Sequence, residues 1–186
     1  MDPNPGQSSV VKYAFNQNSI TKENIEKFVK DFTEGKILPL HKSEVTPTNR
    51  APGLIMPLNS ESFERVAMDR QLDVMVIFFT TNSCKLCEDL WPLYIQAAEK
   101  LKSHGTQELV FASVNMAQNE LPDVHNLFYY PTLRFYPRDS KSRPYDFDGG
   151  LLLDDILKFI KRVASVPIPD MLLDSNQQKT GKPEDI

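Results

Sequence analysis

Glycine is scarce in this 186-residue chain, with 7 residues against 14 prolines, and there are only 2 cysteines. Collagen needs a glycine at every third position, and a disulfide scaffold needs a far higher cysteine content. Both architectures are excluded. A basic excess is missing as well: 21 Lys and Arg face 25 Asp and Glu, for a net charge of -4. Contact with a phosphate backbone needs a positive face, so nucleic-acid binding is not expected as the main activity. The longest apolar run, Val74–Phe79, falls far short of the roughly 20 residues that cross a bilayer, so no membrane span is expected. Met1–Val10 has neither the basic head nor the apolar stretch of a secretory signal. The last five residues, Lys182 to Ile186, do not match a Lys-Asp-Glu-Leu address. Taken literally, the chain is cytoplasmic if complete as written, or it is a piece of something longer. What remains is ordinary globular material, 40% hydrophobic and 25% charged. A segment of ~100 residues can bury roughly two thirds of its extended-chain surface, enough for one core.

The hydrophobic pattern divides the chain. Val10, Val11, Tyr13 and Phe15 read as a strand edge. Thr21 can cap a helix whose apolar residues fall at Ile25, Phe28, Val29 and Phe32, and Gly35 stops it. Pro39 to Pro57 has no sustained period and reads as an extended linker. Ser60 can cap a short helix carrying Phe63 and Val66. Val74–Phe79 is continuously apolar, as in a strand buried on both faces. Ser83 can cap a long helix with Leu86, Leu90, Leu93, Ala97 and Leu101 on one side. Leu109–Asn115, Thr132–Tyr136 and Tyr145–Asp148 read as further strands. Leu152, Ile156, Phe159, Ile160 and Val163 form a last amphipathic helix, with Asp154 and Asp155 near its positive end. The order predicts an α/β fold, a central mixed sheet with helices on both faces.

Cys84-Lys85-Leu86-Cys87 is the chemically distinctive feature. Two cysteines cannot complete a four-ligand zinc site, and His41, His104 and His125 show no metal spacing; each reads as a surface or loop residue, and no metal is expected. A disulfide across two residues closes too small a loop to serve as a staple. Two half-buried thiols without chemistry are the plain alternative, since free cysteine is among the most buried residue types. Position favours redox chemistry. The pair follows a buried strand and opens a helix, where unpaired amide N–H groups and the positive dipole end favour thiolate over thiol. Lys85 adds a tuning cation, opposed one turn on by Glu88 and Asp89. Cys87 lies on the same helix face as Cys84 and can resolve a mixed disulfide formed there. Pro92 is expected to kink the helix. Pro131, after Tyr130, is either a proline that opens a strand or a cis peptide shaping a backbone edge.

The block VMVIFFTTNSCKLCEDLWPLY (Val74–Tyr94), with YYPTLRFYP (Tyr129–Pro137), resembles a thioredoxin-like catalytic domain. More narrowly it is similar to the final a-type domain of the protein disulfide isomerase family. Upstream, Ile20–Pro39 resembles the last helix and connector of a preceding redox-inactive domain, and Leu58–Asp69 the opening of the a-type domain. The resemblance implies a division into 1–40, the remnant of a preceding thioredoxin-like domain; 41–57, a Pro-rich linker; 58–165, the a-type domain; and 166–186, a disordered tail. It implies Cys84 as nucleophile, Cys87 as resolving cysteine, and Pro131, Tyr130 and Leu86 as substrate-binding residues, with Pro131 the cis-proline. It also implies the endoplasmic reticulum lumen as location.

Departures from the family accompany these matches. Ser83 replaces the usual Trp, with an extra residue in the loop, and Lys85-Leu86 replaces Gly-His. Loss of a thiolate-stabilising His predicts a less oxidising pair. Ile77 stands where many members carry a buried Glu, and Phe128 or Tyr129 where several place an Arg. Both groups serve proton transfer to the resolving cysteine, so slow release of mixed disulfides is expected.

The leading reading is a thiol-disulfide oxidoreductase/isomerase acting on cysteine-containing client proteins, with glutathione or an oxidase as further partners and no cofactor. The alternative is a weakly catalytic or non-catalytic chaperone or binding module, and a cytosolic thioredoxin-type reductant is a third. Leu86, Trp91, Phe128, Tyr129 and Tyr130 can serve client binding, with core packing the plainer role for Trp91 and Phe128. A chain starting near Leu54 is expected to fold at least as well as the whole.

Overall fold

The structure is a computed structural model that describes residues 11–47, 49–81, 84–122, 125 and 127–170. It forms two compact units, Met1–Lys42 and Ser43–Ile186. In the first unit the predicted helix is α1, Lys22–Thr33. Thr21 caps it by accepting from the Asn24 N–H at 3.2 Å. Gly35, at φ +68°, ends it with a paired closure in which Gly35 N–H reaches Phe32 O and Lys36 N–H reaches Asp31 O. The expected strand edge is irregular chain over residues 11–15; Val10 lies outside the described residues. Tyr13 packs on Phe32 and Phe15 on Phe28, with ring centroids 4.8 and 5.3 Å apart. No residue of α1 is fully buried, and Ile25, Val29 and Phe32 stay about half exposed.

The second unit is built on a five-stranded mixed sheet. Its elements are β1 (Met56–Leu58), α2 (Ser60–Ala67), β2 (Asp73–Phe79), α3 (Lys85–Ser103), β3 (Leu109–Asn115), β4 (Thr132–Tyr136), β5 (Tyr145–Asp146) and α4 (Leu153–Val163). The strand order is β1-β3-β2-β4-β5. β1, β3 and β2 run parallel; β4 is antiparallel to β2, and β5 to β4. Every residue of β2 is buried, and successive side chains serve opposite layers. Val74, Val76 and Phe78 join Phe63 and Ala67 of α2, with Phe63 against Phe78 at 5.7 Å. Met75, Ile77 and Phe79 join the inner faces of α3 and α4. The predicted mixed sheet with helices on both faces is thus observed, and α3 runs on through Pro92.

The expected linker 41–57 is corrected. Ala51 and Leu54 pack on the core beside buried Ile55, and Met56–Leu58 pair with Ala112–Val114 as an additional strand. Pro57 hides this strand in the sequence, because proline is tolerated in a sheet only at edges, and β1 is an edge strand. Further back, Glu44 N–H donates to Asn119 Oδ1 at 3.0 Å, and Asn59 Nδ2 donates to Glu44 O at 2.9 Å. α2 is capped by Asn59, in a reciprocal box with Ser62, instead of by Ser60.

The expected tail is also corrected at its start. Val166 and Ile168 are buried in the main core, while residues 171–186 lie outside the described residues. The cause is Asp73, a fully buried carboxylate that accepts from the N–H groups of Arg138, Ser165 and Val166 at 2.7, 2.7 and 3.0 Å. Lys141 is buried nearby, donating to the carbonyls of Leu72 and Tyr136 at 2.7 and 3.0 Å. Burial pushes its ammonium down to about 8, against the pull of Asp73 and Asp69.

These contacts generate two predictions. A chain beginning at Ser43 will unfold cooperatively, whereas one beginning at Leu54 loses the Glu44 and Ala51 contacts; urea melts will show the shorter chain less stable by about 1–3 kcal/mol. For Lys141 the folded pKa lies below the unfolded value of ~10.4, so the unfolded state binds the extra proton between the two. The stability of the native chain relative to Lys141→Met will therefore be flat below pH 8 and rise in the native chain's favour up to about pH 10.4. Urea unfolding over that range checks the sign.

Candidate functional site

β2 ends at Phe79, and α3 begins at Lys85, so the strand delivers Cys84 to the N-cap of a 19-residue helix. Ser83, the expected cap, lies outside the described residues; Cys84 itself takes the position. Its Sγ accepts the Cys87 backbone N–H at 3.2 Å. A sulfur so placed receives an amide that no helical carbonyl can satisfy, and it sits at the positive end of the helix dipole. Both effects favour negative charge on Cys84. Cys84 and Cys87 form a disulfide with Cα atoms 5.2 Å apart.

The two sulfurs have different surroundings. Cys84 is half-buried, whereas Cys87 is 3% exposed and belongs to the buried cluster that includes Ile77, Phe79, Trp91 and Leu133. Ile77, fully buried at the centre of β2, offers no proton acceptor. The one buried carboxylate on this strand, Asp73, is six residues before Phe79, roughly 20 Å at the rise of a strand. Lys85 points away into solvent and pairs with Asp89 at 2.5 Å, which raises its pKa. Its charge is answered on the helix surface, so its tuning effect on the pair is small.

Pro131 meets the pair through the sheet. The register sets Phe78 opposite Thr132, so the end of β2 that leads to Cys84 lies beside the start of β4 that follows Pro131. The Tyr130–Pro131 peptide is cis, which decides between the two readings of that proline. Pro131 is buried, and Thr132 Oγ1 donates to Tyr129 O at 2.5 Å. Tyr130 is 38% exposed, with partial desolvation raising its pKa. Leu86 is half exposed on the first turn of α3. Trp91 is core, as expected, but the expectation fails for Phe128, which is 83% exposed. Cys84, Leu86, Tyr130 and Pro131 are therefore gathered at one end of the sheet, with three consecutive aromatic residues, Phe128 to Tyr130, standing in solvent.

Sequence reasoning missed Arg50. Its guanidinium lies over the rings of Phe79 and Trp91, 5.1 and 5.0 Å from their centroids. Trp91 is one turn beyond Cys87 on the same face of α3, so Arg50 sets a cation on the aromatic wall of the site. No sequence signal marks it, because the segment reads as linker. His125, read as a surface or loop residue, is corrected too. It is buried against Phe63, with Nε2 2.6 Å from Glu64 Oε1. Arg134 is buried on β4, bridged to Asp146 of β5 by Nε at 2.5 Å and Nη2 at 2.9 Å. Among the described residues no group of three His, Cys, Asp or Glu can hold a metal.

The described geometry agrees with comparisons to known proteins. The thioredoxin family profile matches residues 54–162. A protein disulfide isomerase-like 1-4 from Oryza sativa subsp. japonica is 30% identical over 185 residues, covering 95% of this chain and 32% of its own. A protein disulfide-isomerase from Humicola insolens is 32% identical over 151 residues, covering 80% of this chain and 29% of its own. The chain thus spans about a third of the length of the curated relatives it matches. The structure of human ERp44 in a zinc-bound form superposes with a TM-score of 0.50 at 19% identity, over 58% of this chain and 31% of that one, a likeness of fold.

The difference in burial is directly testable. After reduction, a stoichiometric alkylating agent will modify Cys84 well before Cys87, and peptide mapping of the quenched protein will locate the label. Equal labelling of both thiols would contradict the described burial.

Proposed function

Since the chain belongs to the thioredoxin family, we propose that it is a thiol-disulfide oxidoreductase acting on cysteine-containing client proteins through Cys84 and Cys87. The observation that carries this is the asymmetry of the pair: a half-buried Cys84 sulfur on the N-cap amide, bonded to a buried Cys87. In the oxidising direction a client thiolate attacks Cys84 Sγ. The Cys84–Cys87 bond breaks, and Cys87 leaves as a thiolate that takes up a proton. A second client thiolate attacks the client sulfur of the mixed disulfide and expels Cys84 as thiolate, the species the N-cap stabilises. Two electrons have passed from client to pair, and the client has gained a disulfide. The reverse order reduces a client.

Release of Cys87 as a thiolate into an apolar cluster is the costly step. No buried acid replaces the residue that Ile77 displaces, so turnover is slow. Pro131 and Tyr130 hold client backbone beside Cys84, and Leu86 offers apolar contact. The similarity to disulfide isomerases supports the endoplasmic reticulum lumen as the place of action, where the poise permits a disulfide. A second reading, a client-binding module with little catalysis, is favoured by the exposure of Phe128, Tyr129 and Tyr130 beside a poorly served resolving thiol.

One experiment separates them. Equilibration with glutathione, followed by trapping of free thiols, gives the reduction potential. With no histidine between the cysteines, the expected value is more negative than about -180 mV. In parallel, Cys87→Ser will accumulate mixed disulfides with a reduced unfolded protein, and Cys84→Ser will not. Failure of the two thiols to form a mutual disulfide would leave the binding module as the function.

A further inference from the structure

Behind the other end of α3, well away from the cysteine pair, lies a cavity of about 570 Å³. Its walls include Leu54 and Ile55 from the segment before β1, Met56 of β1, Ala98 of α3 and Phe111 of β3. It falls inside the size range of small-ligand pockets, roughly 300–1,000 Å³, and shares their mostly apolar lining. Lys102, on the last turn of α3, is the only charged residue lining it among the described residues. Eighteen residues separate Lys102 from Cys84, about 27 Å along a helix, so this is a second place on the molecule.

The polar groups on the wall define what fits. Thr106 Oγ1 is committed to Leu101 O at 2.7 Å, and Asn49 Oδ1 accepts from Ala51 N–H at 3.1 Å. Lys102 Nζ donates to Gly53 O at 2.5 Å. A carbonyl answers one of the three donors of an ammonium and none of its charge. Among the described lining residues no carboxylate stands beside Lys102, so the cavity carries a single positive charge at the edge of an apolar hollow. An extended peptide is the poorer occupant. β1 is the outer strand here, and Pro57 at its centre removes the N–H that an added strand would need.

We propose that this cavity binds a small amphipathic anion, a medium-length apolar chain or ring ending in a carboxylate. The apolar part lies against Ile55, Met56 and Phe111, and the carboxylate pairs with Lys102. The pairing is a charge-assisted hydrogen bond, and the rest of the affinity comes from apolar area removed from water.

The test is a titration of the uniformly nitrogen-15-labelled full chain with sodium decanoate, kept below its micelle concentration, read by amide chemical shifts. Saturable shifts are expected for residues 53–56, 98–102 and 106–111. Lys102→Met should weaken binding about tenfold, as loss of one charge-assisted bond implies, and Lys102→Glu should weaken it further. Decan-1-ol should bind the native chain and Lys102→Met alike. The proposal is overturned if the shifts fall instead on the exposed aromatics 128–130 or along α1. It is equally overturned if both substitutions leave the decanoate affinity unchanged. Lys102 is exposed, so both variants fold, and their unshifted spectra verify it.

Discussion

Burial of β2 on both faces, from Asp73 to Phe79, means that a layer of helix must cover each side of it. α2 supplies one layer through Phe63 and Ala67; α3 and α4 supply the other through residues such as Tyr94 and Ile160. Both neighbours of this strand are fixed by the same demand, β3 parallel on one side and β4 antiparallel on the other. Large side chains such as Phe78 and Ile77 are wholly removed from water, each contributing about 1.5–3 kcal/mol. The site inherits its position from this strand. Its exit carries the chain to Cys84, and its register with β4 brings Pro131 alongside.

The chemistry at that end rests on a contrast between two sulfurs three residues apart. Helix geometry gives Cys84 an amide and a favourable dipole, and tertiary packing gives Cys87 an apolar enclosure. On the proposed function, the first effect suits Cys84 to attack and to leave as a thiolate. The second makes Cys87 a poor leaving group, because a thiolate in apolar surroundings loses its hydration without a compensating partner. The charged groups close to the pair do little to offset this. Lys85 is paired with Asp89 in solvent, and Arg50 is stacked on the rings of Phe79 and Trp91.

Elsewhere the buried polar groups hold the scaffold. Asp73 fastens the start of β2 to the chain that follows α4 through the N–H groups of Ser165 and Val166, and Lys141 holds the carbonyls of Leu72 and Tyr136 beside it. His125 with Glu64, and Arg134 with Asp146, do the same on the α2 face. Removing the Asp73 carboxylate would leave the N–H groups it accepts from without that partner, at a cost of about 1–3 kcal/mol.

Strong local pattern made the helices and four of the five strands legible: the VMVIFF run, the Leu86–Leu101 stripe and the Ile156–Val163 stripe are the plainest cases. The Cys84–Cys87 spacing likewise announced the pair, since a strand followed at once by a helix leaves few places for it. β1 was illegible because Pro57 interrupts a strand of three residues, and Arg50 because a cation–π contact leaves no trace in spacing. His125 and Phe128 were misplaced for one reason: whether a loop side chain turns inward depends on what waits there, here Glu64 and Phe63 for His125. The sequence by itself thus determined four strands of the sheet, its covering helices and the placing of the cysteine pair, all products of short-range pattern. Only the tertiary structure decided which sulfur is enclosed, that Tyr130–Pro131 is cis, and which segments count as core, because each depends on residues far apart in the chain that meet only once β2 is covered.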